Sequence, residues 1–172
     1  MDERTFIKRN DDGEPVFYQG IIVDNTKHRY AENIINIQHK IGSLLNSDEN
    51  VDEVIEEVIE HVLEINAIDC GCIHFVNESG GLDLVTHKGL VTSLVYDMSY
   101  ISSSSFVTKL LMTGNPTYKD YSEILRNSAY NIKHGERALG LIPVKFKGDT
   151  VASLSVSSHT HDSFPHEVKV AL

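Results

Sequence analysis

A chain of 172 residues, 41% hydrophobic and 23% charged, has room for one complete globular domain plus an appendage. Its 25 Asp and Glu outnumber 15 Lys and Arg, giving a formal net charge of −10 that repels phosphate backbones and anionic lipid and argues against nucleic acid as a partner. Two cysteines make no disulfide framework, nothing approaches the ~18 apolar residues of a membrane span, and Met1 to Arg4 lack signal-peptide order; the expectation is a cytoplasmic piece without membrane contact of its own.

Thr5 to Arg9 and Pro15 to Val23 read as two strands joined at Asp11-Asp12-Gly13, residues that accept the positive φ of a tight turn. Two strands bury no core by themselves. Asp24 and Thr26 can cap the helix that follows, in which Tyr30, Ile34, Ile37, Ile41 and Leu44 recur at alternating steps of four and three. That stripe is either a short coiled-coil seam, which predicts a homodimer that lysines at Ile37 and Ile41 would convert to a folded monomer, or a face packed on the next domain. Asn46 to Asn50 break the pattern. Asn50 and Glu53 then have capping-box spacing, and Val51, Val54, Ile55, Val58, Val62 and Ile65 form one broad apolar face. Glu53, Glu56, Glu57, Glu60 and Glu64 line the opposite side as a solvated acidic surface.

Asp69 to Val76 and Leu82 to His87 form a hairpin about a turn at Asn77 to Gly81. One of Ser102 to Ser105 caps a short helix over Phe106 to Met112 that ends near Gly114. Lys119 to Arg137, with a helical turn at Ser122 to Arg126, reads as a long connection over a pocket mouth. Ala138 to Phe146 and Thr150 to Ser157 make a second hairpin, and Pro165 to Leu172 opens a last helix. The order predicts an α+β fold: a central antiparallel sheet flanked by helices, preceded by a β-hairpin and a linker helix.

Cys70, Cys72, His74 and Val76 alternate onto one strand face, with Ile73 and Phe75 on the other. A cysteine and a histidine two residues apart can reach one cavity; otherwise both cysteines are small buried hydrophobes. Structural zinc wants four ligands, and there is no second cysteine pair. His159, His161, Asp162 and His166 read as a solvated loop rather than a metal cluster. No phosphate-binding glycine loop, dinucleotide fingerprint or nucleophile elbow occurs, so no metal and no catalytic residue is assigned. The start of the helix near Ser105 and Phe106 could face an anionic group, Ser153 and Ser155 share a strand face as hydrogen-bonding partners, and Tyr118, Tyr130 and His134 could close a lid. These seven form a candidate ligand-binding set.

The helix Val51 to Ile65 leading into Ala67 to Val76, His87-Lys88-Gly89-Leu90, Gly114-Asn115-Pro116, Glu136 to Val144, Gly148, Val151 to Ser157, and Phe164 with Glu167 together resemble the GAF family, over about Asn46 to Leu172. The segment Asp12 to Glu32 is similar to the end of a PAS domain. The resemblance implies a PAS-like hairpin over 1–26, a signalling helix over 27–46 and a GAF-like domain over 47–172 whose last helix is cut short. It further implies a sensor module of an archaeal-type histidine kinase in a two-component system, not itself an enzyme, that binds a small ligand and relays through its terminal helices to a kinase region downstream in the same polypeptide. The alternatives are a structural dimerisation relay or a GAF-fold redox enzyme. Ligand and cofactor identity stay open; because some GAF domains of such kinases hold haem through a cysteine, the resemblance makes Cys72 and His74 candidates for haem.

Overall fold

The computed structural model describes residues 2–44, 50–120 and 135–172. β1 (Asp2–Arg9) and β2 (Pro15–Val23) pair antiparallel as a separate two-stranded sheet, with Thr5 opposite Gly20, and Gly13 takes the positive φ of 83° that their turn demands. Phe6, Val16, Phe17 and Ile21 remain exposed, as expected of two strands without a core beneath them.

Helix α1 (Thr26–Leu44) carries the apolar stripe, and the structure decides between its two readings. Ile34 is buried, Ile37 is 1% exposed, and Tyr30 and Ile41 pack against the same core as Val62, Ile65, Phe164 and Val168. The stripe therefore packs within the chain. Tyr30 Oη donates to the Asn66 carbonyl and Gln38 Nε2 to the Ala171 carbonyl, fixing α1 beside the two helices it touches. A lysine at Ile37 would place a charge in this core, so the expectation of a folded monomer from that change is withdrawn.

Helix α2 (Val51–Leu63) starts where Asn50 accepts a hydrogen bond from the Asp52 amide at 3.3 Å. Val54, Ile59 and Val62 are its buried residues. Ile59, off the face read from spacing, is fully buried, whereas Val51 is exposed, a rotation set by the sheet beneath. The acidic side is solvated, and the opposing charges come from other elements: Lys88 donates to Glu60, and Lys40 to Glu64 at 3.0 Å.

The remaining chain builds one six-stranded antiparallel sheet in the order β5-β4-β3-β8-β7-β6. Its strands are β3 (Cys70–Val76), β4 (Leu82–Lys88), β5 (Tyr100–Ile101), β6 (Thr117–Asp120), β7 (Ala138–Phe146) and β8 (Asp149–Ser158). Both expected hairpins are present, and β8 joins them by pairing with β3 in the sheet centre. β5, β6 and helix α3 (Thr92–Met98) are absent from the sequence reading, because elements of two to seven residues span too little chain for a periodicity to stand out. Helix α4 (Phe106–Leu111) is capped by Ser105, and α5 (His166–Ala171) follows Pro165. The expected turn at 122–126 lies outside the described residues.

Helices α1, α2 and α5 cover one sheet face through the cluster of Ile37, Val62, Ile142, Val156 and Val168. On the other face Leu82, Ile101, Val107, Leu111, Leu139 and Leu141 form a second cluster under α4. No described helix is long and apolar enough to cross a membrane.

Candidate functional site

Strand pairing explains how the second face acquires its chemistry. Because residues directly opposite each other share a face, the register sets Cys70 beside Ser157, Cys72 beside Ser155 and His74 beside Ser153, with Leu139, Leu141 and Pro143 beyond the three serines on β7. Three cross-strand rows thus place a serine next to a cysteine or histidine at the middle of the sheet. Above them lies a cavity of about 50 Å³. Cys72, His74, Ser153 and Ser155 form its floor, while Leu94 and Met98 of α3, Val107 and Leu111 of α4, Leu82 and Ile101 close it with hydrocarbon.

His74 is fully buried, and its ring has an assignable tautomer. Nε2 lies 2.9 Å from the Met98 carbonyl, which can only accept, so Nε2 carries the proton and Nδ1 is left as an acceptor. Cys72 Sγ sits 3.8 Å from that Nδ1, placing its S–H as the donor. Burial pushes the Cys72 thiol up to about 12, with neighbouring Cys70 adding to the rise and Ser155 opposing it. The same desolvation holds the His74 imidazole below its ordinary range, against the Met98 bond and the Asp83 charge. Thiol and imidazole are therefore both neutral, and the pair is no thiolate–imidazolium couple. Cys70, also raised chiefly by burial, shares a 3.0 Å hydrogen bond with Ser157. Ser153 stands apart: its Oγ is buried with no hydrogen-bonding partner among the described residues.

The other candidates scatter. Ser105 is the N-cap of α4, accepting from the Thr108 amide at 3.0 Å and donating to Thr108 Oγ1 at 2.9 Å, so its hydroxyl is already committed. Phe106 is partly exposed, and neither residue lines the cavity; Val107 and Leu111 of the same helix do. Tyr118 is on the helix-covered face, its ring edge-on to Phe164 and its hydroxyl donating to the Lys169 carbonyl. A residue tied there closes no lid over this cavity. Tyr130 and His134 lie outside the described residues. In the histidine-rich loop, Asp162 pairs with Arg137 at 2.7 Å. Among the described residues no three His, Cys, Asp or Glu side chains gather as a metal site would require. The lining residues missed from sequence include Leu94 and Met98, whose i, i+4 spacing was the available signal.

Haem does not fit these residues as they stand. Ring nitrogen Nε2 of His74 is committed to a carbonyl, Cys72 is a neutral thiol turned toward Nδ1, and a ~50 Å³ cavity is far below the roughly 300–1,000 Å³ of pockets for large ligands.

Comparison with known proteins agrees with this geometry at the level of fold. The GAF domain of a phosphoenolpyruvate-protein phosphotransferase from Coxiella burnetii superposes with a TM-score of 0.69 at 15% identity, covering 82% of this chain and 86% of that one. A type II free methionine-R-sulfoxide reductase from Thermoplasma acidophilum gives 0.56 at 14% identity over 72% and 87% of the two chains. In sequence, 41 residues are 46% identical to the methyl sulfide methyltransferase-associated sensor of Methanosarcina acetivorans; the match takes in 24% of this chain and only 4% of that protein. The model of the GAF domain family matches residues 48–172, most of the chain, and the chain belongs to that family.

Proposed function

We propose that this chain is a regulatory input module of a sensor histidine kinase, in which the cavity takes a small molecule and the opposite sheet face passes the change to helices. One observation carries the reading: β3 is shared by both sides. Cys72 and His74 line the cavity, while Gly71, between Cys70 and Cys72, has so little room on the other face that an added Cβ would sit 3.1 Å from the Ile59 side chain of α2. A shift of β3 on ligand entry therefore presses directly on α2, and through the shared core on α1 and α5. The likeness to a sensor supports the regulatory role. The kinase context and the PAS-like origin of the β1–β2 hairpin rest on the sequence resemblance, and the exposed apolar residues of that hairpin favour self-association as a dimer.

The reductase reading is disfavoured by the same site. Only two cysteines occur in the chain, and both are buried thiols with raised pKa, the opposite of what redox catalysis needs. Hydrogen exchange of α1, α2 and α5, with the cavity filled and empty, tests the relay. Changed protection in these helices supports it, and unchanged protection at full occupancy refutes it.

A further inference from the structure

Every polar side chain of the cavity except one already has a partner inside the protein. Cys72 faces His74 and Ser155, His74 donates to Met98, and Ser157 is bonded to Cys70. Ser153 Oγ is the exception, buried at the cavity floor and unpartnered among the described residues. No described Lys, Arg, Asp or Glu lines the space. An ion placed there would lose its hydration and meet no opposite charge among the described residues. A purely hydrocarbon molecule would leave the Ser153 hydroxyl unsatisfied. The volume of about 50 Å³ holds roughly three to five water-sized groups.

We infer that this cavity selects a small, uncharged, mainly apolar molecule carrying one carbonyl or hydroxyl oxygen, which bonds Ser153 Oγ while Leu94, Val107, Leu111, Leu139 and Leu141 enclose its hydrocarbon part. The inference rests on the reading of the cavity as the module's ligand site and adds the chemical class. Selection works by exclusion: charge is rejected by the described lining, bulk by the volume, and orientation is set by a single hydroxyl at the sheet centre.

The test uses the whole chain with 2-butanone as the neutral probe, butyrate and butylammonium as charged molecules of similar size, and xenon as an apolar probe without an oxygen. Binding is read from methyl NMR shifts of the lining leucines. The expected result is saturable binding of 2-butanone, weaker binding of xenon, none of either ion, and a Ser153→Ala variant that weakens 2-butanone roughly three- to tenfold while leaving xenon unchanged or tighter. A second variant, Leu94→Phe, should exclude both neutral probes by filling the space. Equal binding of the ions, or an unchanged ratio of 2-butanone to xenon affinity in Ser153→Ala, overturns the assignment. So does failure of 2-butanone to bind while xenon does, since Ser153 is then satisfied by water alone. If 2-butanone binds as expected but hydrogen exchange in α1, α2 and α5 stays the same, the ligand class stands and the relay falls.

Discussion

Replacing Ile37 by alanine separates a stripe that holds the domain together from one that holds two chains together. Ile37 is 1% exposed and sits among Val62, Ile65, Phe164 and Val168, so the change removes three carbons from a packed site contributed by α1, α2, the segment before α5, and α5 itself. At about 0.8 kcal/mol per buried methylene the transfer loss alone is ~2.4 kcal/mol. A residual cavity adds to this, and Ile→Ala changes in cores cost about 2–5 kcal/mol, so ~3 kcal/mol is expected. For a domain of this size that lowers Tm by roughly 6–12 °C. Ile35, on the same helix but 52% exposed, is the internal control, with a cost below about 0.5 kcal/mol. Urea unfolding of both variants at two protein concentrations, with light scattering alongside, checks the numbers. If α1 undocks as a unit before the sheet unfolds, the loss appears as amide protection lost across α1 alone. An Ile37→Ala protein of unchanged stability that has merely dissociated from dimer to monomer would refute the intrachain packing.

The His74 ring makes stability pH-dependent. Its folded pKa lies below the unfolded value of about 6.5, so as pH falls through that value the unfolded chain gains a proton that the folded chain does not. Stability is therefore full above about pH 6.5 and declines below it, and His74→Gln, which can keep an N–H directed at the Met98 carbonyl, should flatten urea midpoints compared between about pH 7.5 and 5.5; an undiminished slope counts against the assignment. Cys72 and Cys70 should resist a thiol reagent near pH 8 until the protein is unfolded, because the reactive thiolate is suppressed; prompt labelling of the native chain contradicts the burial of both. Gly89 takes a φ of +75°, and a Cβ there would lie 2.6 Å from the Asp69 carbonyl and 2.8 Å from Cys70 Cβ, so Gly89→Ala should cost well over ~1 kcal/mol in thermal unfolding, and a neutral effect would show that the turn relaxes freely.

Much of this molecule is local in origin, and local features can be read in one dimension. Gly13 with Asp11 and Asp12 marks the first turn, Asn50 and Ser105 sit where helices need a side-chain acceptor, and period-two alternation already puts Cys70, Cys72 and His74 on one face of β3. Those signals depend on backbone geometry and neighbouring residues alone, so sequence suffices. What the stripe on α1 packs against is not legible there, since an amphipathic face specifies only that it be buried, and only the fold supplies Val62, Phe164 and Val168 as the surface that buries Ile37. The expectation that Tyr118 closes the cavity fails for a related reason: which side of a sheet a strand residue faces depends on register with β7, and that register turns its ring toward Phe164. The cavity is the most tertiary feature of all. Its floor exists because β3 pairs with β8, a strand from the far end of the chain, setting Cys72 against Ser155 and His74 against Ser153. The space above that floor is bounded by two short helices, of which the sequence offers no more than the spacing of Leu94 and Met98. Whether Cys72 is a reactive thiol or a neutral one is decided there too, because its proton affinity follows from the desolvation imposed by the packed fold and not from the residue or its neighbours in sequence.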